Sequence, residues 1–87
     1  MEITAAVTVE QGVRFVVVLV KWQAAQPAAR EATRRSFSSL FPGDNIVLCA
    51  QDSRGVPTYY GRNDIVKFLA NIDISQLPWK KYRSTAA

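Results

Sequence analysis

The sequence predicts an α+β fold, a two-layer sandwich of order ββαββα with a four-stranded mixed sheet and two helices on one face. Three observations carry that prediction. Residues 3–9 alternate apolar and polar with period two, and residues 13–22 hold an almost unbroken apolar run, Phe15 to Val20. Two later stretches, 27–40 and 65–72, place small or apolar side chains on one side at spacings of three and four. Strands that come in pairs, each pair followed by a helix, suit a layered packing in which the sheet is the shared wall.

Each element has its own justification. In residues 3–9, Ile3, Ala5, Val7 and Val9 share one face while Thr4 and Thr8 share the other, as in a half-buried edge strand. Gln11-Gly12 makes a tight turn, because glycine adopts positive φ without a steric cost. Strand 13–22 is apolar on both faces, with Phe15, Val17 and Leu19 on one and Val16, Val18 and Val20 on the other, so it belongs at the centre of the sheet. Pro27 suits the first turn of a helix running to about Leu40, and Pro42-Gly43-Asp44 stops it.

Residues 46–50 read as a third strand, 52–55 as a hairpin loop and 56–60 as a fourth strand. Pro57 cannot donate to a ladder, which places that strand at an edge or a bulge. Gly61 supplies a turn angle, Asn63 caps the second helix, and Ile65, Phe68, Leu69 and Ile72 form its apolar stripe. Residues 1–78 are therefore read as one domain and 79–87 as a basic C-terminal tail. With both helices on one face, three valines of strand 13–22 would lie uncovered on the other, an apolar patch that implies a second copy or a partner protein.

Charge narrows the partners. The chain carries +4, but residues 1–78 hold 8 basic and 7 acidic side chains, so most of the excess is Lys80, Lys81 and Arg83. A nearly neutral body argues against a broad electropositive nucleic-acid face. The apolar run is too short to cross a bilayer, the N-terminus lacks the basic start of a secretory signal, and Cys49 is the single cysteine. These features point to the cytoplasm.

Catalytic chemistry finds little material. There is no histidine, which excludes His-based triads and most zinc sites. The four glycines stand singly in turns, not as a phosphate loop. Asp44 and Asp52 bracket one strand, so their carboxylates lie at opposite ends of it. Cys49 reads as a small buried hydrophobe with no base beside it. No catalytic, cofactor-binding or metal-ligating residue is assigned.

Val18-Leu19-Val20-Lys21-Trp22 before a helix at Pro27, with Gly55-Val56-Pro57-Thr58 later, resembles the thioredoxin family, where Trp-Cys-x-x-Cys follows a strand and a cis-proline precedes a later one. The resemblance implies a strand-to-helix step and a cis bond at Pro57. The dithiol positions here hold Gln23 and Gln26, so it implies no redox activity.

Two stretches stand out as binding features. Arg62, beside the start of the second helix, could hold an anion. Trp79-Lys80-Lys81-Tyr82-Arg83 interleaves aromatics with cations, which suits either a docked segment that contacts a protein or a platform for unpaired bases. Arg30, Arg34 and Arg35 read as the solvated side of the first helix. The sequence as a whole supports a small non-enzymatic protein-interaction module, with a homodimer as one form of it. The alternative is single-stranded RNA or DNA binding through the basic aromatic segment, assisted by Arg30, Arg34 and Arg54.

Overall fold

The computed structural model describes residues 2–83. Strands β1 (Glu2–Glu10) and β2 (Val13–Val20) form a hairpin, helix α1 (Pro27–Phe37) follows, and β3 (Asn45–Gln51) and β4 (Pro57–Tyr60) form a second hairpin. Helix α2 (Asn63–Leu69) then leads to β5 (Trp79–Arg83). The sheet order is β4-β3-β2-β1-β5. Strands β2 and β3 are parallel and all other neighbours antiparallel, so the α+β class and the mixed sheet are present with one strand more than the four expected.

Local chemistry explains most boundaries. Gln11 (φ 50) and Gly12 (φ 78) both take positive φ between the paired residues Glu10 and Val13, the two-residue turn whose twist matches a hairpin. Helix α1 closes at Phe37, short of Leu40, because three serines compete for its last carbonyls. Ser36 Oγ donates to the Thr33 carbonyl at 2.6 Å, Ser38 Oγ to Arg35 at 2.7 Å and Ser39 Oγ to Ser36 at 3.3 Å. Asn63 is the first helical residue of α2 and Arg62 stands at the cap, with no side-chain bond there.

The layer arrangement corrects the expectation of two helices on one face. Val16, Val18, Ile46 and Leu48 pack with Phe37 and Phe41 on the α1 side. Phe15, Val17, Val47 and Cys49 pack with Ile65, Leu69 and Leu77 on the other. The reason is topological. Strands β4 and β5 sit at opposite edges, so the chain between them crosses the whole sheet, and α1 already occupies one face. Residues 63–78 take the free face and bring Ile65, Phe68, Leu69, Ile72, Ile74 and Leu77 to it.

Val16, Val17 and Val18 are consequently 0% exposed. Burial of each stabilises the fold by roughly 1.5–3 kcal/mol. Among the described residues, the middle of β2 therefore offers no uncovered valine face, and of Val16, Val18 and Val20 only Val20, at its end, is part-exposed. β1 is likewise internal, because β5 lies along its outer side from Glu2 to Ala6. Of the expected tail, residues 79–83 are a strand of the sheet, and 84–87 lie outside the described residues.

The features shared with the thioredoxin family stop at the β2–α1 step. No helix separates β3 from β4, and no peptide bond among the described residues is cis, Pro57 included.

Candidate functional site

β5 holds five of the six residues singled out for binding, and its alternation sorts them. Trp79 pairs with Ala6 and Tyr82 with Ile3, on opposite faces of the sheet. The Trp79 indole N–H donates to the Ile74 carbonyl at 2.8 Å, while the ring packs against the α2-side core. Tyr82 meets Phe41 edge to face, with ring centroids 5.4 Å apart and planes at 82°. Both rings are half-buried and committed to the fold.

The cations alternate with the rings and reach solvent on both faces. Lys80, Lys81 and Arg83 are exposed. Lys81 Nζ lies 3.6 Å from Glu2 Oε1, a solvated contact worth about 0–1 kcal/mol. Lys80 and Arg83 have no ion-pair partner among the described residues. β5 has β1 as its one partner strand, and its first N–H, that of Trp79, is taken by the Leu77 carbonyl at 2.9 Å, so the side of residues 80–83 away from β1 meets no strand among the described residues.

Arg62 is not part of this arrangement. It follows β4, at the opposite edge, and makes a two-pronged pair with Asp64: Nε to Oδ1 at 2.7 Å and Nη2 to Oδ2 at 2.8 Å. The hydrogen bond from Arg62 holds the Asp64 carboxyl below its usual range, and the same bond raises the guanidinium. A guanidinium matched to a carboxylate in this way offers little to an external anion.

A cleft of about 310 Å³ beside it is lined by Arg34, Arg35 and Arg62 and also by Glu31 and Asp44. Its acids are spoken for, Asp44 by Arg14 at 2.9 Å and Glu31 by Arg34 at 3.4 Å. The mixture of signs gives no clear preference for anions. Arg30, expected in the solvated stripe, instead lies 3.9 Å over the Tyr60 ring and donates from Nε to the Ala25 carbonyl at 2.9 Å.

Sequence reading missed an apolar end of the sheet. Leu19 (36% exposed) and Trp22 (42%) stand where β2 leaves the cover of the helices. Beside them a groove of about 460 Å³ runs between β1 and α1, lined by Ile3, Leu19, Val20, Ala24 and Phe37 together with polar residues. The apolar run of β2 hid this, since nothing in it marks where cover ends.

Cys49 is fully buried, and burial pushes its thiol up to about 11. Its cross-strand neighbour Tyr59 has an enclosed hydroxyl without a hydrogen-bond partner among the described residues. Burial first, then Cys49 and Asp73, push that hydroxyl up to about 12. Both groups stay protonated at neutral pH, the opposite of what an activated nucleophile needs. Comparison with protein-family models, curated proteins and solved structures returned no match to this chain.

Proposed function

We propose that this chain is a non-enzymatic protein-interaction module that receives its partner along the outer edge of β5. The observation that carries this reading is the combination found in residues 79–83: an edge strand open on one side, three exposed cations, and two aromatic rings that pin the strand to the body. A strand already ordered loses little conformational freedom on binding, which favours recognition through its backbone. The protonated, enclosed state of Cys49 and Tyr59 supports a non-enzymatic role.

The other occupant of such an edge is single-stranded RNA or DNA. Stacking on unpaired bases requires free aromatic faces, and Trp79 and Tyr82 turn theirs toward the core. The geometry therefore favours a polypeptide.

The test is site-specific photo-crosslinking in native cells, with a benzophenone amino acid in place of Lys80 and, as control, of Arg54 in the exposed loop between β3 and β4. The proposal expects a discrete adduct to another polypeptide from position 80 and none from position 54. Adducts to nucleic acid alone, or equal labelling from both positions, would overturn it.

A further inference from the structure

We infer that the β5 edge accepts an acidic, extended segment of a partner polypeptide as a sixth strand of the sheet. The inference rests on the interaction role proposed above and gives that role its partner chemistry.

The two edges of the sheet differ in what they can accept. β4 is four residues long and begins with Pro57, which has no N–H to offer, and Arg30 lies over the Tyr60 ring. β5 has five residues and no proline, and beyond the Trp79 N–H, which the Leu77 carbonyl takes, no strand among the described residues lies along its outer side. Trp79 and Tyr82 hold it from opposite faces of the sheet, so the ladder is formed before anything binds.

Charge selects among the strands that could add there. Lys80 lies on one face of the sheet, and Lys81 and Arg83 on the other, so an added strand meets cations on both sides. Opposite charges directly across a pair of strands stabilise it and like charges destabilise it. A second copy fails this condition. In every antiparallel register that pairs three or more residues of β5 with β5 of another copy, a lysine or arginine faces a lysine or arginine. In the parallel in-register pairing each cation meets its own kind.

Edge lysines commonly serve only to prevent aggregation. Here three of five residues are cationic, two of them without an ion-pair partner among the described residues. The arrangement repels a copy of itself and suits a strand carrying glutamate or aspartate on both faces.

The experiment titrates the ¹⁵N-labelled chain with a ten-residue peptide in which pairs of glutamates alternate with pairs of threonines, so that carboxylates stand on both faces of the strand. Matched probes put lysine in place of every glutamate or proline in place of every threonine, the paired prolines interrupting both edges of the strand, and a ten-nucleotide oligothymidylate tests the nucleic-acid occupant. The inference expects the glutamate–threonine peptide to shift and protect the β5 amides, and the lysine peptide to leave them unchanged. It expects the glutamate–proline peptide, which keeps the charge but cannot build a ladder, to bind at least about tenfold more weakly. The double variant Lys80→Glu/Arg83→Glu, at two exposed positions, should lose at least about tenfold in affinity with an unchanged circular dichroism spectrum.

Equal binding of the proline peptide, no response to the glutamate–threonine peptide, or tighter binding of oligothymidylate to the same amides overturns the inference. A polypeptide adduct from position 80 combined with no response to the acidic peptide keeps the interaction role and removes the acidic strand. Absence of any polypeptide adduct removes the role itself.

Discussion

The indole N–H of Trp79 donates to the carbonyl of Ile74, five residues earlier, at 2.8 Å. The bond joins the first residue of β5 to the short 3₁₀ turn Ile74–Gln76, which is itself closed by Asp73. Asp73 accepts from the Ser75 backbone and hydroxyl while Gln76 reaches back to the Asp73 N–H. β5 therefore begins from a fixed point.

Replacement of Trp79 should show how much of the edge depends on that point. Trp79→Leu removes the donor and part of a half-buried ring, and we expect a loss of roughly 2–3 kcal/mol in urea unfolding. Trp79→Phe keeps an aromatic ring and should cost about 1 kcal/mol. In both variants the β5 amides should exchange faster than those of β2. A stability unchanged in Trp79→Leu would show that the residue anchors nothing.

The Tyr59 hydroxyl presents the reverse case. It is enclosed without a partner among the described residues, so the fold carries the desolvation cost of a polar group with no compensating bond. Tyr59→Phe should stabilise the chain by about 1 kcal/mol, read as a rise in urea midpoint at constant slope. A destabilised variant would mean that the hydroxyl has a partner after all.

Gly61 was expected to supply a backbone angle, and its φ is ordinary; what it supplies is room. A Cβ built there would lie 2.8 Å from Val47 Cγ2, 3.2 Å from Val47 Cα and 3.3 Å from the Ile46 carbonyl oxygen. Two of those atoms are backbone of a central strand and cannot step aside. Gly61→Ala should destabilise by about 1–3 kcal/mol, whereas alanine at an unconstrained turn would be close to neutral. Thermal unfolding of this variant against wild type decides the matter.

These residues also show what the sequence can and cannot convey. β2 was legible because every position from Phe15 to Val20 is apolar, and α2 because Ile65, Phe68, Leu69 and Ile72 repeat at helical spacing. The face taken by α2 was not, since it depends on where the chain must arrive afterwards, and β5 was hidden. Lys80 and Lys81 are adjacent, which breaks the strict alternation that marks a half-buried strand. An edge strand tolerates the break because both faces there reach solvent. At the candidate site, Trp79 through Arg83 were legible by composition. Arg62 was read separately, as an anion holder beside the second helix, and its two-pronged pairing with Asp64 was not legible because adjacency in sequence does not fix which charges meet.

Cys49 and Tyr59 together make an alkaline liability. In an unfolded chain the thiol ionises near 9.0 and the phenol near 10.0, while in the fold burial raises them to about 11 and about 12. Below pH 9 both groups are protonated in both states and contribute no pH dependence. Between pH 9 and pH 12 the unfolded chain releases protons that the native one still holds, so stability falls as pH rises through that window. Urea unfolding at stepped pH should show the decline, and Tyr59→Phe should flatten its upper part, from pH 10 upward. The same burial keeps the thiol from reacting: at pH 8 an aromatic disulfide reagent should label Cys49 only after denaturant is added. Rapid labelling of the native chain would show that the space between β3 and α2 opens, and the fall in stability above pH 9 would then be shallower than the buried thiol requires.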